Sequence, residues 1–290
     1  MTDPGDRPSL RRALDAAVTT LAASGIGSPQ ADAEFLAAHI AGVDRGRLSL
    51  LGTLEPEFFA RFDDAVRRRA DRIPLQHITG TAAFGPVEVH VGPGVFIPRP
   101  ETEALLEWAL AQPLGDEPLI VDVCTGSGAL AIALAANRPN ARIIALDDDP
   151  AALDYARSNA VSTAVEVRHG DVTAPELLAE LSAAVDLVTA NPPYIPIGCE
   201  LEPEVAHHDP AHALFGGIDG MAVIAPIIEH AARWLKPGGL FGVEHDDTTS
   251  ARTVGMIERS GCFIDITARY DLTGRPRFVT ARRTERREPL

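Results

Sequence analysis

Asn191, Pro192, Pro193 and Tyr194 directly follow the apolar run Val185–Ala190. The run predicts a buried strand, and in open α/β sheets ligands bind beyond the carboxyl ends of the strands. The Asn side chain offers an amide oxygen, each Pro offers a carbonyl without a competing N–H, and Tyr offers a flat apolar face. These groups can accept two N–H bonds from a planar –NH2 group and stack on its plane. The segment therefore indicates a site that modifies an amide or an exocyclic amine, although Asn-Pro-Pro also forms ordinary stiff turns.

A glycine-containing loop joins the predicted strand Leu119–Val123 to a helix. Its residues are Cys124, Thr125, Gly126, Ser127 and Gly128. Glycine lets a backbone approach a ligand closely, and the following helix N-terminus offers free N–H groups. Asp147 ends the next strand, 21 residues after Gly126, where an acid can take both hydroxyls of a ribose. The loop lacks the G-x-G-x-x-G pattern of dinucleotide sites, so with residues 191–194 it predicts an S-adenosylmethionine site rather than an NAD site.

A third candidate is Asp171, which follows the predicted strand Val165–Arg168. In that place its carboxylate can accept a hydrogen bond from an adenine amino group. An Asp that caps a turn fits the same position, and the residues alone leave both interpretations open.

Composition limits the class of protein. The 290 residues are 46% hydrophobic and carry a net charge of −15, of which residues 1–80 contribute −1. An acidic chain is not suited to embrace nucleic-acid phosphates. Three scattered cysteines match neither a disulfide framework nor a zinc spacing, and no metal site is predicted. With neither a signal core nor a run of 18 apolar residues, the sequence predicts a soluble cytoplasmic protein without membrane contact.

Periodicity divides the chain into three parts. Residues 7–72 show helical spacing and end in the basic run Arg67–Arg72, which we interpret as a solvated helix end. Alternating valines at 87, 89 and 91 predict a strand of a hairpin. From Glu101 onward strands and helices alternate as in a doubly wound, mostly parallel sheet of seven strands. A final hairpin, Cys262–Ala268 with Arg277–Ala281, predicts an antiparallel strand at the sheet edge.

The chain resembles one family over nearly its whole length: the glutamine methyltransferases that modify peptide-chain release factors (PrmC, formerly HemK). Its most distinctive match is Gly94–Glu103, and residues 191–194 are shared with many amino-methyltransferases. Other segments in family order are Leu75–Gly80, Asp122–Gly128, Asp147, Asn191–Ile195, Gly216–Gly220, Leu235–Gly239 and Asp271–Arg277. Departures occur at His208–Pro210, in the extra acids after Asp147, and at Asp246, where the family commonly has glycine.

This resemblance implies a Rossmann-like class I methyltransferase fold, with residues 1–75 as a helical substrate-recognition domain, 76–98 as a linking β-hairpin and 99–290 as the methyltransferase domain. It implies methyl transfer from S-adenosyl-L-methionine to the glutamine amide nitrogen in the Gly-Gly-Gln loop of class 1 release factors. Catalysis would fall to Asn191, Pro192 and Tyr194, with Pro193 also contacting substrate. Cofactor contacts would come from Cys124–Gly128, Asp147, Asp171, Val172 and Asn191, with Phe96, Arg99 and Thr102 as further walls.

Two other classes remain to be weighed. An adenine N6-methyltransferase acting on DNA or RNA can use the same amine cradle, but it needs a flipped base and commonly a basic recognition region. Here residues 81–290 carry a net charge of −14. A non-catalytic binding module would be expected to have a damaged cofactor loop or a damaged 191–194 segment, and both are intact.

Overall fold

The computed structural model describes residues 9–271 and 273–285. Their contacts form two compact units: Met1–Thr81 with Glu202–His208, and Ala82–Leu201 with Asp209–Leu290. We call them the helical unit and the sheet unit. Residues 202–208 follow the Asn-Pro-Pro-Tyr segment closely in sequence and yet belong to the helical unit, which the sequence patterns did not indicate.

The helical unit consists of helices around one apolar core. They are α1 (Leu10–Ala23), α2 (Pro29–Ala41), α3 (Pro56–Ala70), α4 (Leu75–Thr79) and, from the later segment, α8 (Pro203–His208). The helical spacing predicted for residues 7–72 is seen in α3, where Phe58, Phe59, Phe62 and Val66 are all buried. Leu21 and Leu36 complete the centre of this core.

The basic end of α3 is only partly solvated. Arg67 and Arg68 are exposed as predicted, but Arg69 is buried, so the prediction was wrong for that residue. Its guanidinium donates to Asp32 (Nε–Oδ2 2.7 Å) and to Glu204 of α8 (Nη2–Oε1 3.1 Å). A buried guanidinium needs such partners because an unpaired charge is expensive to desolvate.

The sheet unit contains a seven-stranded sheet in the order β5-β4-β3-β6-β7-β9-β8. Its strands are β3 (Leu119–Val123), β4 (Arg142–Asp147), β5 (Val165–His169), β6 (Val185–Ala190), β7 (Leu235–Glu244), β8 (Phe263–Tyr270) and β9 (Pro276–Arg283). Strands β3 to β7 pair in parallel, whereas β9 pairs antiparallel with both β7 and β8. The predicted fold class is confirmed. Within the closing hairpin, β9 runs antiparallel one place in from the edge and β8 lies at the edge.

Helices connect these strands and cover the sheet. They are α5 (Glu103–Leu110), α6 (Ala129–Asn137), α7 (Pro150–Ala160), α9 (Ala211–Leu214), α10 (Ile224–Trp234) and α11 (Ser250–Arg259). The chain runs outward from β3 through β4 to β5 and then returns to place β6 beside β3. This reversal of strand order makes the carboxyl ends of β3 and β6 the expected ligand crevice.

A short hairpin, β1 (Thr81–Phe84) with β2 (Val87–His90), precedes the sheet. Its Phe84 and Val89 are buried in the same core cluster as Leu105 of α5, while Glu88 and His90 are exposed as the alternating pattern predicts. Lys236–Gly239 lies inside β7 as an irregularity in its pairing with β6, and α10 begins at Ile224.

Candidate active site

The glycine loop between β3 and α6 has the backbone that a close ligand contact requires. Gly126 and Gly128 have φ values of 57° and 83°, and Cys124 also lies in this left-handed region at 56°. A Cβ built on Gly126 would meet nothing within 4 Å, whereas one on Gly128 would meet Ala156 of α7 at 3.5 Å. Gly126 therefore faces open space, and Gly128 allows the loop to pack on α7.

Asp147 anchors this loop from the end of β4. Its Oδ2 accepts from the backbone N–H of Gly126 (2.8 Å) and its Oδ1 from that of Asp149 (3.0 Å). Burial raises the pKa of Asp147 from its ordinary value. The carboxylate thus connects the glycine loop after β3 with the loop after β4, with one oxygen bonded to each.

Asp122, the next-to-last residue of β3, is a buried carboxylate whose two oxygens both have hydrogen-bond partners. Thr125 donates to Oδ2 (2.6 Å), and Thr189 of β6 donates to Oδ1 (2.8 Å). Burial nevertheless raises the pKa of Asp122 to about 6. This contact ties the two strands of the crevice together and fixes the first residues of the glycine loop.

Asp171 forms a turn with its own chain. Its Oδ1 accepts from both the backbone N–H and the hydroxyl of Thr173, each at 2.7 Å, and the backbone hydrogen bond lowers the pKa of Asp171. The turn-capping interpretation is therefore present in the structure, and Oδ2 remains available for an additional contact. Val172 is buried, and its carbonyl accepts from His230 Nε2 at 2.8 Å.

Asn191 follows β6 directly, and its amide has a defined orientation. The Nδ2 atom donates to the hydroxyl of Thr102 at 3.1 Å. Within residues 9–271 and 273–285, no hydrogen bond ends on Asn191 Oδ1 or on the Pro192 carbonyl oxygen. The two oxygens predicted to accept from a substrate –NH2 group are thus available, while the Nδ2 donor of Asn191 is already bonded to Thr102.

A second chain segment supports the Asn-Pro-Pro-Tyr segment through backbone contacts. Ile195 N–H donates to the Leu214 carbonyl (2.9 Å), and Gly216 N–H donates to the Ile195 carbonyl (3.0 Å). A Cβ on Gly216 would lie 2.4 Å from the Pro193 carbonyl oxygen, and one on Gly220 would lie 2.3 Å from that of Tyr194. These two positions need glycine because a larger residue would displace the Asn-Pro-Pro-Tyr loop.

Tyr194 is half-buried, and its hydroxyl interacts with Arg277 of β9. Arg277 also pairs with Asp271 (Nη2–Oδ2 3.6 Å), which accepts from the hydroxyl of Thr273 at 2.6 Å. Burial, together with the nearby Glu244 carboxyl, raises the pKa of Tyr194, so its hydroxyl stays protonated. The closing Asp-Leu-x-Gly segment therefore supports the Tyr ring through Arg277.

Sequence reasoning did not assign a role to Glu244, the last residue of β7. Ala190 and Val243 are partners in the pairing of β6 with β7, so Asn191 and Glu244 come next on adjacent strands. Glu244 is 1% exposed, its Oε1 has no hydrogen-bond partner among the described residues, and burial raises its pKa to about 8. Its signal in the sequence was an acid closing the apolar run of β7.

The three expected wall residues before α5 have different surroundings. Thr102 is buried and bonded to Asn191. Arg99 stacks its guanidinium 5.0 Å from the ring centre of Phe96 and forms an ion pair with buried Asp209. The departure from the family pattern at His208–Pro210 thus supplies the partner of Arg99.

Strand order brings most predicted site residues to one edge of the sheet. Strands β4, β3, β6 and β7 are neighbours in the sheet. β4 ends at Asp147 and β7 at Glu244, while the glycine loop follows β3 and Asn191 follows β6. Asp171 follows β5, the next strand outward. In the described part of the chain, no three His, Cys, Asp or Glu side chains are grouped to hold a metal ion. None of its helices combines the length and apolar composition that a membrane crossing requires.

Comparisons with known proteins agree with this architecture. Residues 12–80 match the family described as "PrmC N-terminal domain", and residues 87–208 match "Methyltransferase small domain". A protein of Mycolicibacterium smegmatis called "Release factor glutamine methyltransferase" is 66% identical over 96% of this chain and 99% of its own length. One of the same name from Corynebacterium glutamicum is 48% identical, covering 95% and 99%. A solved methyltransferase of Pyrococcus furiosus shares the fold, with a TM-score of 0.52 at 14% identity over 75% of this chain and 98% of that one.

Proposed function

Because this chain belongs to the release factor glutamine methyltransferase family, we propose that it methylates the side-chain amide nitrogen of the glutamine in the Gly-Gly-Gln loop of class 1 peptide chain release factors. The methyl donor is S-adenosyl-L-methionine, and the reaction takes place in the cytoplasm. The observation that carries this proposal within the structure is the Asn191 amide, whose Nδ2 is held by Thr102 while Oδ1 stays available.

An amide nitrogen is a poor nucleophile because its lone pair is delocalised into the carbonyl. Asn191 Oδ1 and the Pro192 carbonyl accept the two hydrogens of the substrate –NH2 group, which directs the nitrogen lone pair toward the methyl donor. Both acceptors also stabilise the positive charge that develops on nitrogen. S-adenosyl-L-methionine bound here would supply the methyl group and keep the electron pair of the C–S bond on its sulfur, and the amide nitrogen would then lose one proton to solvent. Rate enhancement comes mainly from orientation and preorganised dipoles.

Tyr194 stacks on the plane of the substrate amide. The interaction of its hydroxyl with Arg277 stabilises the position of the ring. Pro193 contacts the substrate and stiffens the connection between the acceptors and the ring, because proline restricts its own φ and the conformation of the residue before it. The arrangement selects a flat amide over a tetrahedral amine.

The cofactor residues fit S-adenosyl-L-methionine. Gly126 faces open space with a backbone that only glycine adopts readily, and the carboxylate of Asp147 lies beside it. Cys124, Thr125, Gly126, Ser127 and Gly128 would hold the methionine part, Asp147 the ribose, and Asp171 with Val172 the adenine. Bound there, the sulfonium supplies an electrophilic methyl group.

We further propose that the helical unit recognises the shape of the release factor away from the Gly-Gly-Gln loop. In this proposal residues 1–75 recognise the substrate, residues 76–98 form the connecting hairpin and residues 99–290 transfer the methyl group. A free peptide that contains Gly-Gly-Gln should then be a much poorer substrate than the whole factor, as measured by kcat/KM. Equal kcat/KM values for the two substrates would contradict this role of the helical unit.

The deciding experiment is a transfer assay with labelled S-adenosyl-L-methionine. Whole release factor, the same factor with Gly-Gly-Gln changed to Gly-Gly-Ala, and duplex DNA are tested in parallel. We expect label on the native factor alone. Label on the altered factor to the same extent would refute the glutamine assignment, and label on DNA would favour an adenine N6-methyltransferase.

A further inference from the structure

A line of three polar side chains runs from the interior of the sheet unit to the candidate catalytic amide. Glu244 is buried at the end of β7, and Thr102 is 5% exposed at the start of α5. The hydroxyl of Thr102 accepts from Asn191 Nδ2 at 3.1 Å. Ala190 pairs with Val243, so Asn191 and Glu244 come next on adjacent strands. Thr102 favours the ionised form of Glu244. The three side chains therefore lie close together, with Thr102 bonded to the amide.

The hydroxyl of Thr102 has one hydrogen to donate and lone pairs with which to accept, so its partners determine one another. An ionised carboxylate can only accept, so it takes the hydroxyl hydrogen and leaves the oxygen lone pairs for Asn191 Nδ2. A neutral carboxylic acid or amide can instead donate to the hydroxyl. The hydroxyl hydrogen is then free to turn toward Asn191, where it favours the inverted amide with Oδ1 pointing inward.

We propose that Thr102 and Glu244 are positioning residues that set the orientation of the Asn191 amide, so that Oδ1 and not Nδ2 faces the substrate. This inference rests on the proposed role of Asn191 as an acceptor. An inverted amide would present two hydrogens to the two hydrogens of the substrate –NH2 group. The cradle would then repel the group that it has to orient.

The surroundings of Glu244 show which other charges act on this line. Arg277 of β9 favours the ionised carboxylate, whereas Glu101, close to Thr102 in sequence, and Asp122 of β3 oppose it. Tyr194 lies near the same carboxyl. With burial as the dominant contribution, the pKa of Glu244 rises to about 8, so the ionised and neutral forms exchange at moderately alkaline pH. The orientation of the Asn191 amide should therefore respond to pH in that range.

The first test changes only the hydroxyl. Thr102→Val keeps the branched shape and removes the hydroxyl, and Thr102→Ser keeps the hydroxyl. We expect Thr102→Val to lower kcat about 10- to 100-fold, since small misplacements of a reacting group cost on this order. The dissociation constant for S-adenosyl-L-methionine, from calorimetry, should stay within about twofold, and Thr102→Ser should recover most of the lost rate. Thr253→Val, at a buried threonine bonded within α11, is the matched control and should not lower kcat.

Three results with these variants would overturn the inference. One is a Thr102→Val enzyme with the wild-type kcat. Another is a Thr102→Ser enzyme as impaired as Thr102→Val, because the hydroxyl would then have no part. The third is a loss of cofactor affinity in proportion to the loss of kcat, which would indicate a packing role.

The second test uses Glu244→Gln, which does not depend on the folding of the Thr102 variants. In the wild type, kcat should rise as pH passes through about 8, the value to which the pKa of Glu244 is raised. In Glu244→Gln the rise should disappear and kcat should remain near the low-pH value. A Glu244→Gln enzyme with the wild-type pH profile and rate would refute the role of Glu244.

Failure of this inference can be distinguished from failure of the proposed function. Wild-type enzyme that transfers no methyl group to whole release factor under these conditions would refute the proposed function itself. Wild-type enzyme that is active, alongside a fully active Thr102→Val variant, would refute only the positioning role.

Discussion

Asp122 and Glu244 are two buried carboxylates that lie two strands apart in the same sheet. Asp122 is on the side of the site proposed to bind the cofactor (the cofactor side), and Glu244 is on the side proposed to bind the substrate (the substrate side). Both oxygens of Asp122 accept from threonine hydroxyls. In the part of the chain that the structure describes, Glu244 has an Oε1 without a hydrogen-bond partner. Burial raises the pKa of Asp122 to about 6 and that of Glu244 to about 8. The two buried acids therefore differ in their hydrogen bonds: both oxygens of Asp122 accept one, whereas Glu244 Oε1 accepts none from the described residues.

The same contrast extends to the loops. On the cofactor side, Asp147 engages backbone N–H groups with both oxygens. On the substrate side, Asn191 Oδ1 and the Pro192 carbonyl remain available in the described residues. Unsatisfied polar groups reduce stability, and they are retained where chemistry uses them. The polar groups of the cofactor side thus have partners within the protein, whereas those of the substrate side would find theirs in the proposed substrate.

Stability against pH gives the largest expected difference between the two acids. A raised folded-state pKa means that stability is present at low pH and is lost as pH rises through that pKa. Asp122 should reduce the free energy of unfolding between about pH 4 and 6, by up to ~3 kcal/mol, at 1.36 kcal/mol per unit. Glu244 should reduce it further, up to about pH 8, by up to ~5 kcal/mol.

Urea unfolding at several pH values measures this difference. Asp122→Asn should reduce the loss of stability between about pH 4 and 6, whereas Glu244→Gln should also remove the loss between about pH 6 and 8. Glu244→Gln should then be more stable than wild type at pH 9 and similar to it at pH 4. If Asp122→Asn changed the loss between about pH 6 and 8 as much as Glu244→Gln does, the two acids would be coupled, and the contrast between the two sides of the site would be lost.

Removal of the catalytic amide should affect the substrate side alone. Asn191→Ala is expected to lower kcat about 10²- to 10³-fold, the effect of losing one preorganised hydrogen-bonding group in the transition state. Affinity for S-adenosyl-L-methionine, measured by calorimetry, should change little. Asn137→Ala at the end of α6 is the control and should retain the wild-type rate, because that side chain bonds only its own helix. A parallel loss of cofactor affinity in Asn191→Ala would show that the two sides are not separable.

The converse change tests the cofactor side. Asp147→Asn weakens charge-assisted hydrogen bonds and should reduce affinity for S-adenosyl-L-methionine about 10-fold or more. At saturating cofactor, kcat should remain near the wild-type value. Asp148→Asn removes the same charge from the exposed neighbouring residue and serves as control. Comparable losses of affinity in both variants would point to general electrostatics rather than to a contact made by Asp147.

The smallest effect is expected for the hydroxyl of Tyr194. Tyr194→Phe keeps the ring that we propose stacks on the substrate and loses the interaction with Arg277, so kcat should fall only about two- to fivefold, in line with one modest hydrogen bond. Steady-state kinetics with whole release factor measures this. A loss comparable to that of Asn191→Ala would mean that the hydroxyl itself takes part in the chemistry.

Much of the fold could be predicted because its signals are local. The predicted strands Leu119–Val123 and Val185–Ala190 match β3 and β6. Pro150 begins α7, and Asp149 caps it by accepting from Ala152 N–H at 3.0 Å. The glycine loop and the Asn-Pro-Pro-Tyr segment were recognisable for the same reason. Each is a short run whose residue types carry their chemistry with them.

The tertiary structure decided the contacts between residues that are distant in sequence. Thr102 and Asn191 meet across 89 residues, and Glu244 joins them only because β7 pairs with β6. Residues 202–208 belong to the helical unit, and Arg69 is buried there by partners at positions 32 and 204. Such contacts depend on strand order and packing, which burial across the whole chain determines. The sequence alone thus determined the elements and the two chemical loops, and the folded structure decided which buried groups meet them.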